Sequence, residues 1–354
     1  MKDAVLNWFK GWALVSYLED NGILGMNRRN ADYISRYNNR SRYPLVDNKL
    51  LTKEVVEKAR IAAPKLIDVV RAQYEIEHIA PRIENLSQFV VKPANGSGGK
   101  GILVIIGRED DQFIKSSGVR INLADIERHM TNILSGLHSL GGKPDVAFIE
   151  TLIHVSDYFA QYSYEGVPDI RIIVFKGYPV MGMLRLATQK SDGKANLHQG
   201  AVGVGLDLAT GRASMAVQHN KRVTHHPDTG KLLSEIQIAN WKELLRLAAR
   251  CYEVTRLGYL GCDIVIDEAR GPLILELNAR PGLAVQIANG VGLLPRLRLI
   301  ESLDDFPVSV DERVEFSMHH FATLRAHRHA VHAATMDHTS IQHTSVESTS
   351  EEHR

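Results

Sequence analysis

At 354 residues the chain is long enough for two or three packed lobes around a substantial core. Its 44% hydrophobic and 23% charged residues are those of an ordinary globular protein, and a formal net charge of +1 excludes a dedicated nucleic-acid binder, which would carry a basic excess. Two cysteines, Cys251 and Cys262, exclude a disulfide framework and a cysteine-based zinc site.

The chain opens on an apolar stretch interrupted by Asp3, Lys10, Glu19 and Asp20. It is too broken for a transmembrane helix and lacks the small-residue cleavage site of a signal peptide, so the cytoplasm is the expected location. Val5, Leu6, Trp8, Phe9, Trp12, Ala13, Val15 and Leu18 fall into helical spacing over residues 3–20. That aromatic-rich helix either docks on the body of the protein or offers a face to a membrane surface or protein partner. Residues 26–49, rich in Arg, Asn and Tyr, read as an irregular segment ending at Pro44. A helix is expected from about Thr52 to Arg60, capped by Thr52, with Val55 on its inner face and Pro64 stopping it. A further helix near 66–79 would carry Leu66, Val69, Val70 and Ile76.

From Phe89 the pattern becomes strand, glycine loop, strand: Phe89 to Val91, then Lys92 to Gly101, then Ile102 to Ile106. A helix containing Ile126, Met130, Ile133, Leu134 and Leu137 follows, then a strand from Val146 to Glu150. Strands are expected at Asp169–Phe175 and Val180–Ala187, and a helix at Trp241–Arg256. Cys262–Asp267 and Pro272–Asn278 form a hairpin around Glu268 to Gly271. Beyond about Met318 the chain is rich in His, Ser, Thr and Glu and poor in large apolar residues, a composition that favours disorder. There are no internal repeats.

The run Gly96-Ser97-Gly98-Gly99-Lys100-Gly101 satisfies the G-x-G-x-x-G pattern of dinucleotide-binding folds. That match fails on context, because the pattern needs a helix after the glycines and Ile102 to Ile106 is a β-branched apolar run. A phosphate-binding P-loop also fails, since Gly101 stands where Ser or Thr must bind magnesium. What remains is a hairpin loop rich in backbone N–H donors that can fold over phosphates, with Lys92 adding a cation. A plain hairpin turn would not need four glycines in six residues.

In the second hairpin, residues two apart share a face, so Glu276 and Asn278 point the same way. If the turn is centred between Ala269 and Arg270, Asp263 falls opposite Glu276. Asp263, Glu276 and Asn278 then converge as three oxygen ligands inside apolar strands. Hard oxygens with no His or Cys nearby suit Mg²⁺ that also holds phosphates. The alternative, a solvated sheet edge, sits badly with carboxylates embedded among apolar neighbours. Between the two hairpins, Arg171 and Arg185 occupy strand positions from which a carboxylate or phosphate can be held bidentately, although an arginine on a strand, taken alone, is more often a surface residue. His198 alone reads as structural.

Taken in order, Val91-Lys92-Pro93 with the glycine loop, Asp169-Ile170-Arg171, Asn196-Leu197-His198-Gln199-Gly200, Gly261-Cys262-Asp263-Ile264 and Glu276 to Gly282 resemble the ATP-grasp superfamily over roughly residues 25–300. Within it the similarity is to the ribosomal-protein S6 glutamate-ligase-like branch. The resemblance implies an α+β, ATP-grasp fold in which two α+β lobes clasp ATP. It would comprise a short helical N-terminal segment (1–48), an ATP-grasp domain (49–300) and the tail (318–354). The glycine-loop lobe would take about 89–150 and the metal-binding lobe about 151–300. It also implies that Lys49 and Lys92 contact the phosphates together with Gly96, Ser97, Gly98, Gly99, Lys100 and Gly101. Glu150 would stand at the adenine site and Asp157 at the ribose. Asp263, Glu276 and Asn278 would bind two Mg²⁺ ions, with Mn²⁺ as the alternative metal. Arg171, Arg185, Asn196 and Arg280 would hold the transferred phosphoryl group and an acyl-phosphate.

The activity implied is ATP-dependent joining of a carboxylate to an amine, with ADP and phosphate released and amino acids or peptides as substrates. Glutamate as donor comes only with the branch. The segment ahead of residue 45 is shorter than the N-terminal α/β domain usual in that branch, which leaves the acceptor open. The alternatives are an ATP-grasp kinase acting on a hydroxyl, and a nucleotide-binding partner protein without turnover.

Overall fold

The computed structural model describes residues 18, 20–96, 98–139, 141–304 and 308–322. Nearly all of the expected aromatic helix, Ser97 of the glycine loop, and the histidine-rich tail beyond residue 322 lie outside the described residues.

The β-branched runs pair into two antiparallel sheets. The first contains β1 (Leu66–Val70), β2 (Phe89–Pro93), β3 (Leu103–Glu109), β4 (Gln112–Lys115), β5 (Arg120–Ile121) and β6 (Ala147–Glu150), ordered β1-β6-β2-β3-β4-β5. The second contains β7 (Asp169–Phe175), β8 (Tyr178–Leu186), β9 (Val202–Leu206), β10 (Ala213–Gln218), β11 (Lys221–Arg222), β12 (Tyr259–Asp267) and β13 (Gly271–Asn278), ordered β11-β10-β9-β8-β7-β12-β13. The glycine loop joins β2 to β3 in a hairpin that pairs Phe89 with Ile105 and Val91 with Leu103. Asp263 stands opposite Glu276 in the β12–β13 ladder, the register expected from the turn.

Each sheet has its own core. Ile126, Met130 and Ile133, on one face of the helix Leu123–Leu134, are fully buried with Phe89, Ile105 and Ile149 of the first sheet. The helix Trp241–Thr255 buries Leu244, Leu245, Ala248 and Cys251 in the larger core of the second sheet. The polar end of Trp241 is satisfied by donating from Nε1 to the Leu208 carbonyl at 2.9 Å.

The structure corrects four expectations. The helix expected over 66–79 is strand β1 followed by short helices at Gln73–Ile76 and Ile79–Ile83. Leu66, Val69 and Val70 fit a helical spacing, but pairing of Val69 with Phe148 and Val70 with Ala147 overrides it. The helix expected from Thr52 runs over Lys49–Lys58, because Asn48 caps it by accepting from the Leu50 and Leu51 amides. Thr52 lies inside that helix, its hydroxyl donating to the Leu45 and Asn48 carbonyls; the inner face carries buried Leu50, Lys53 and Val56, with Val55 half-buried against the same core. Residues 26–37, expected to be irregular, are helical, with Tyr33 and Ile34 buried. Lastly, a helix capped by Ser309 extends over Val310–His320, so the residues just past Met318 are ordered into it. Among the described residues no helix is long and apolar enough to cross a membrane.

Candidate active site

The central strands of the second sheet are mainly apolar, and a row of charged side chains crosses them. Strand alternation puts Asp169 and Arg171 on one face of β7, and neighbouring strands continue the row. In register, Asp169 faces Arg185, Arg171 faces Asp263, and Asp263 faces Glu276. Arg171 donates from Nε and an Nη to the two Asp263 oxygens at 2.7 and 2.6 Å. Arg185 divides its guanidinium, donating to Asp263 at 2.8 Å and from Nε to Asp169. Four charges thus interlock inside a sheet, where each alone would be costly to bury.

That interlock splits the two carboxylates. Burial raises the Asp263 pKa, but Arg171 and Arg185 outweigh it and bring the group down to about 2. Burial prevails at Asp169, pushing it up to about 6 despite Arg185. Burial disfavours the charge on Arg185, and Asp263 and Asp169 more than restore it, so its pKa is raised.

Facing this row from the other sheet is a second charged group. Glu150, at the end of β6, is 1% exposed and pairs with both Lys92 of β2 and Lys53 of the helix Lys49–Lys58, the latter at 2.5 Å. Lys53 also donates to the Pro64 carbonyl at 2.6 Å. Burial works to raise the Glu150 pKa, yet the charges of Lys92 and Lys53 leave it lowered. Burial lowers the Lys53 pKa against the pull of Glu150. Lys49, at the start of the same helix, spans the two sheets. Its Nζ donates to the Gly96 carbonyl at 2.6 Å and pairs with Glu276 at 3.0 Å.

Between these groups lies a cleft of about 550 Å³, within the range of small-molecule sites. Of the residues singled out in the sequence, Lys49, Lys92, Gly98, Gly99, Glu150, Arg171, Arg185, Asn196, Asp263, Glu276 and Asn278 line it. Asn196 caps a short turn by accepting from the His198 amide. The loop carrying both is anchored where Thr188 and Gln218 donate to the Gly200 carbonyl. His198, read from the sequence as structural, lines the cleft too and is exposed. Apolar walls come from Val56, Ile102, Phe148, Val167 and Ile274.

Other singled-out residues lie elsewhere. Asp157 is exposed at the start of the helix Asp157–Ala160, away from the cleft lining. Arg280 and Gly96 line an adjoining cavity instead, with Arg280 held by Asp47 at 3.1 Å and set over the Tyr43 ring. Lys100 and Gly101 belong to the glycine loop but not to the cleft lining. The Gly101 carbonyl contacts His129 Nε2 at 3.0 Å, which ties the loop to the helix Leu123–Leu134. Sequence reasoning passed over Lys53 and Asp169. A lysine on a helix usually faces water, and Asp169 drew notice only as a neighbour of Arg171.

Asp263, Glu276 and Asn278 form a hard-oxygen set of the kind Mg²⁺ prefers. Among the described residues no three His, Cys, Asp or Glu gather into a metal site, so the third protein oxygen here is an amide. Asn278 Oδ1 already accepts from the Arg280 amide at 2.8 Å, which orients it and leaves a second lone pair. The cations now against Asp263 and Glu276 are arginine and lysine side chains. The residues fit a magnesium ion shared with phosphate.

The family model for sugar-transfer associated ATP-grasp proteins matches residues 28–302, most of the chain. Among solved structures, the chain is similar to the ATP-grasp ligase PsnB complexed with a phosphomimetic variant of its minimal precursor, Mg and ADP. That likeness has 13% identity, 75% of this chain and 59% of that one covered, and a TM-score of 0.39. D-cycloserine synthetase DcsG matches at 12% identity, covering 79% and 71% of the two chains, with a TM-score of 0.38. D-alanine–D-alanine ligase from Bacillus anthracis matches at 13% identity, covering 83% and 72%, with a TM-score of 0.38. In three PsnB complexes the chain spans 59%, 60% and 62% of the relative's length. No curated protein sequence matches the chain.

Proposed function

This chain belongs to the sugar-transfer associated ATP-grasp family, and from that premise we propose that it is an ATP-dependent carboxylate–amine ligase working through an acyl-phosphate. The observation that carries the reading is the cleft between the sheets, where lysines and glycine-loop amides stand on one side and the Arg171–Asp263–Glu276 row on the other.

Lys49 and Lys92 lie where they can neutralise a triphosphate, and Glu150 fixes the Lys92 ammonium against β6. Gly98 and Gly99 offer backbone donors over the phosphates without side-chain obstruction. Magnesium, held by Asp263, Glu276 and Asn278, supplies charge neutralisation of the phosphate oxygens when bound. Arg171 and Arg185 each keep N–H donors beyond those spent on Asp263 and Asp169, and these face the transferred phosphoryl group. Their fixed positions cost no reorganisation as charge develops.

A substrate carboxylate oxygen forms a bond to the γ-phosphorus while the bond to the β–γ bridging oxygen breaks, and ADP leaves with that electron pair. An amine nitrogen then attacks the acyl carbon, phosphate leaves, and the amine's surplus proton passes to solvent. His198, exposed in the cleft, can relay that proton to solvent. Amino acids or peptides are the substrates this scheme serves, and glutamate as the donor belongs to the same proposal.

The test is to incubate the purified protein with Mg-ATP and pooled amino acids and to quantify ADP, AMP and phosphate, with Glu276→Ala as control. ADP and phosphate that depend on one amino acid and vanish in the variant support the ligase. AMP in place of ADP means adenylate chemistry and sinks the acyl-phosphate. A phosphorylated hydroxyl product with no acyl-phosphate trapped by hydroxylamine makes the protein a kinase.

A further inference from the structure

Beside the cleft lies a second cavity of about 470 Å³, and the two share three lining residues, Lys49, Glu276 and Asn278. These side chains form a partition with Lys92, Gly98 and Gly99 on the cleft side and Gly96 on the other. A phosphoryl group transferred in line needs its attacking oxygen opposite the departing ADP oxygen. A nucleotide lying along Lys92, Gly98 and Gly99 brings its γ-phosphate to that partition, so the attacking oxygen arrives from the other side.

The chemistry of the second cavity limits what can arrive. Besides the partition, its wall carries Asp47, Asn95, Ser139, Lys143 and Arg280. Asn95 and Ser139 are held by the buried carboxylate of Asp145, to which the Asn95 amide Nδ2 and the Ser139 hydroxyl donate at 2.8 and 2.6 Å. Asn95 keeps its Oδ1 and a second Nδ2 hydrogen, so it can both accept from and donate to a ligand. Lys49 pairs with Glu276 and Arg280 with Asp47, and Asp145 lies behind the wall, so Lys143 is the surplus cation on the cavity lining. An apolar acid would strip water from these groups without replacing their hydrogen bonds.

We infer that this second cavity binds the acyl substrate, and that the substrate is a small hydrophilic carboxylic acid carrying hydroxyl or ammonium donors. The inference rests on the ligase reading above. The acid's carboxylate oxygen bonds to the γ-phosphorus across the partition as the bond to ADP breaks.

The experiment measures hydroxamate trapped by hydroxylamine from Mg-ATP with L-glutamate, D-alanine, D-glucuronate, hexanoate or benzoate, alongside the affinity for Mg-AMPPNP. Hydroxamate is expected from at least one of the three hydrophilic acids and from neither apolar one. Lys143→Glu, an exposed position, reverses the surplus charge and should raise KM for that acid about tenfold, while the Mg-AMPPNP Kd moves less than about twofold. Ser139→Trp, which fills the cavity, should abolish hydroxamate with the same intact nucleotide affinity. Hydroxamate best from hexanoate or benzoate, none from any acid despite tight Mg-AMPPNP binding, or KM unmoved in both variants overturns the assignment and leaves the nucleotide site standing. A wild-type protein that does not bind Mg-AMPPNP removes the ligase reading itself, and this inference with it.

Discussion

At the scale of single residues, two buried carboxylates set the energetics of the cleft in opposite ways. Glu150 pairs with two lysines, and removing one partner from a buried ionic group leaves the others uncompensated. Glu150→Ala should therefore lower unfolding stability by about 3–5 kcal/mol, measured by urea denaturation at neutral pH. A loss below about 1 kcal/mol would mean that Lys53 and Lys92 reach water once Glu150 is gone. Asp169 carries the opposite signature. Its folded pKa is raised from 3.8 to about 6, so the folded state binds the proton more tightly than the unfolded chain does. The stability this contributes is present below pH 3.8 and lost as pH rises through about 6. Asp263, lowered to about 2, works in reverse, contributing stability that is lost as pH falls below 3.8. Asp169→Asn should flatten the decline in stability across the window from 3.8 to about 6 while leaving the acid-side loss in place. Parallel profiles for the two proteins would show that Asp169 is ionised throughout.

At the scale of elements, the glycine loop separates two costs that a glycine can avoid. Gly98 and Gly101 both adopt positive φ, +63° and +75°, but a Cβ at Gly98 meets open space while one at Gly101 comes within 2.5 Å of the His138 ring. Gly98→Ala should cost about 1–2 kcal/mol of stability, the left-handed penalty alone. Gly101→Ala should cost more, and the excess should vanish in a His138→Gly background, which removes both the ring and the His138 Cβ at 2.7 Å, a double-mutant cycle that isolates the contact. An excess that persists without His138 would place the obstruction elsewhere. The hairpins around this loop and around Ala269-Arg270 were legible in the sequence because β-branched runs broken by glycine or polar turns have one reading. Asp263 opposite Glu276 followed from turn placement alone. Strand β1 was not legible, since Leu66, Val69 and Val70 suit either period and only their pairing with β6 decides. Nor was the Lys53–Glu150–Lys92 group, which exists because three elements distant in sequence meet. The same holds for the second cavity, assembled from Asp47, Asn95, Ser139, Lys143 and Arg280.

At the scale of the whole molecule, the two sheets are tied through one short helix. The Lys49 amide donates to the Ala94 carbonyl at 2.8 Å, its Nζ reaches Gly96 and Glu276, and Lys53 reaches Glu150. One end of that linkage belongs to the glycine-loop hairpin and the other to the acidic hairpin, so a ligand seated between them bears on both sheets. Binding that favours the folded state stabilises it by mass action, about 2.7 kcal/mol when the ligand stands at 100 times its Kd. Mg-AMPPNP should raise the thermal midpoint by several degrees, since about 1 kcal/mol moves a domain of 150–250 residues by about 2–4 °C. AMPPNP without magnesium should give a smaller rise in the wild-type protein, because Glu276 then stays paired with Lys49 alone. In Glu276→Ala the two conditions should converge, as the ion has lost an oxygen it needs while the lysines still meet the phosphates. A magnesium increment of undiminished size in that variant would remove Glu276 from the ion's ligands and leave its contact with Lys49 as a purely structural tie.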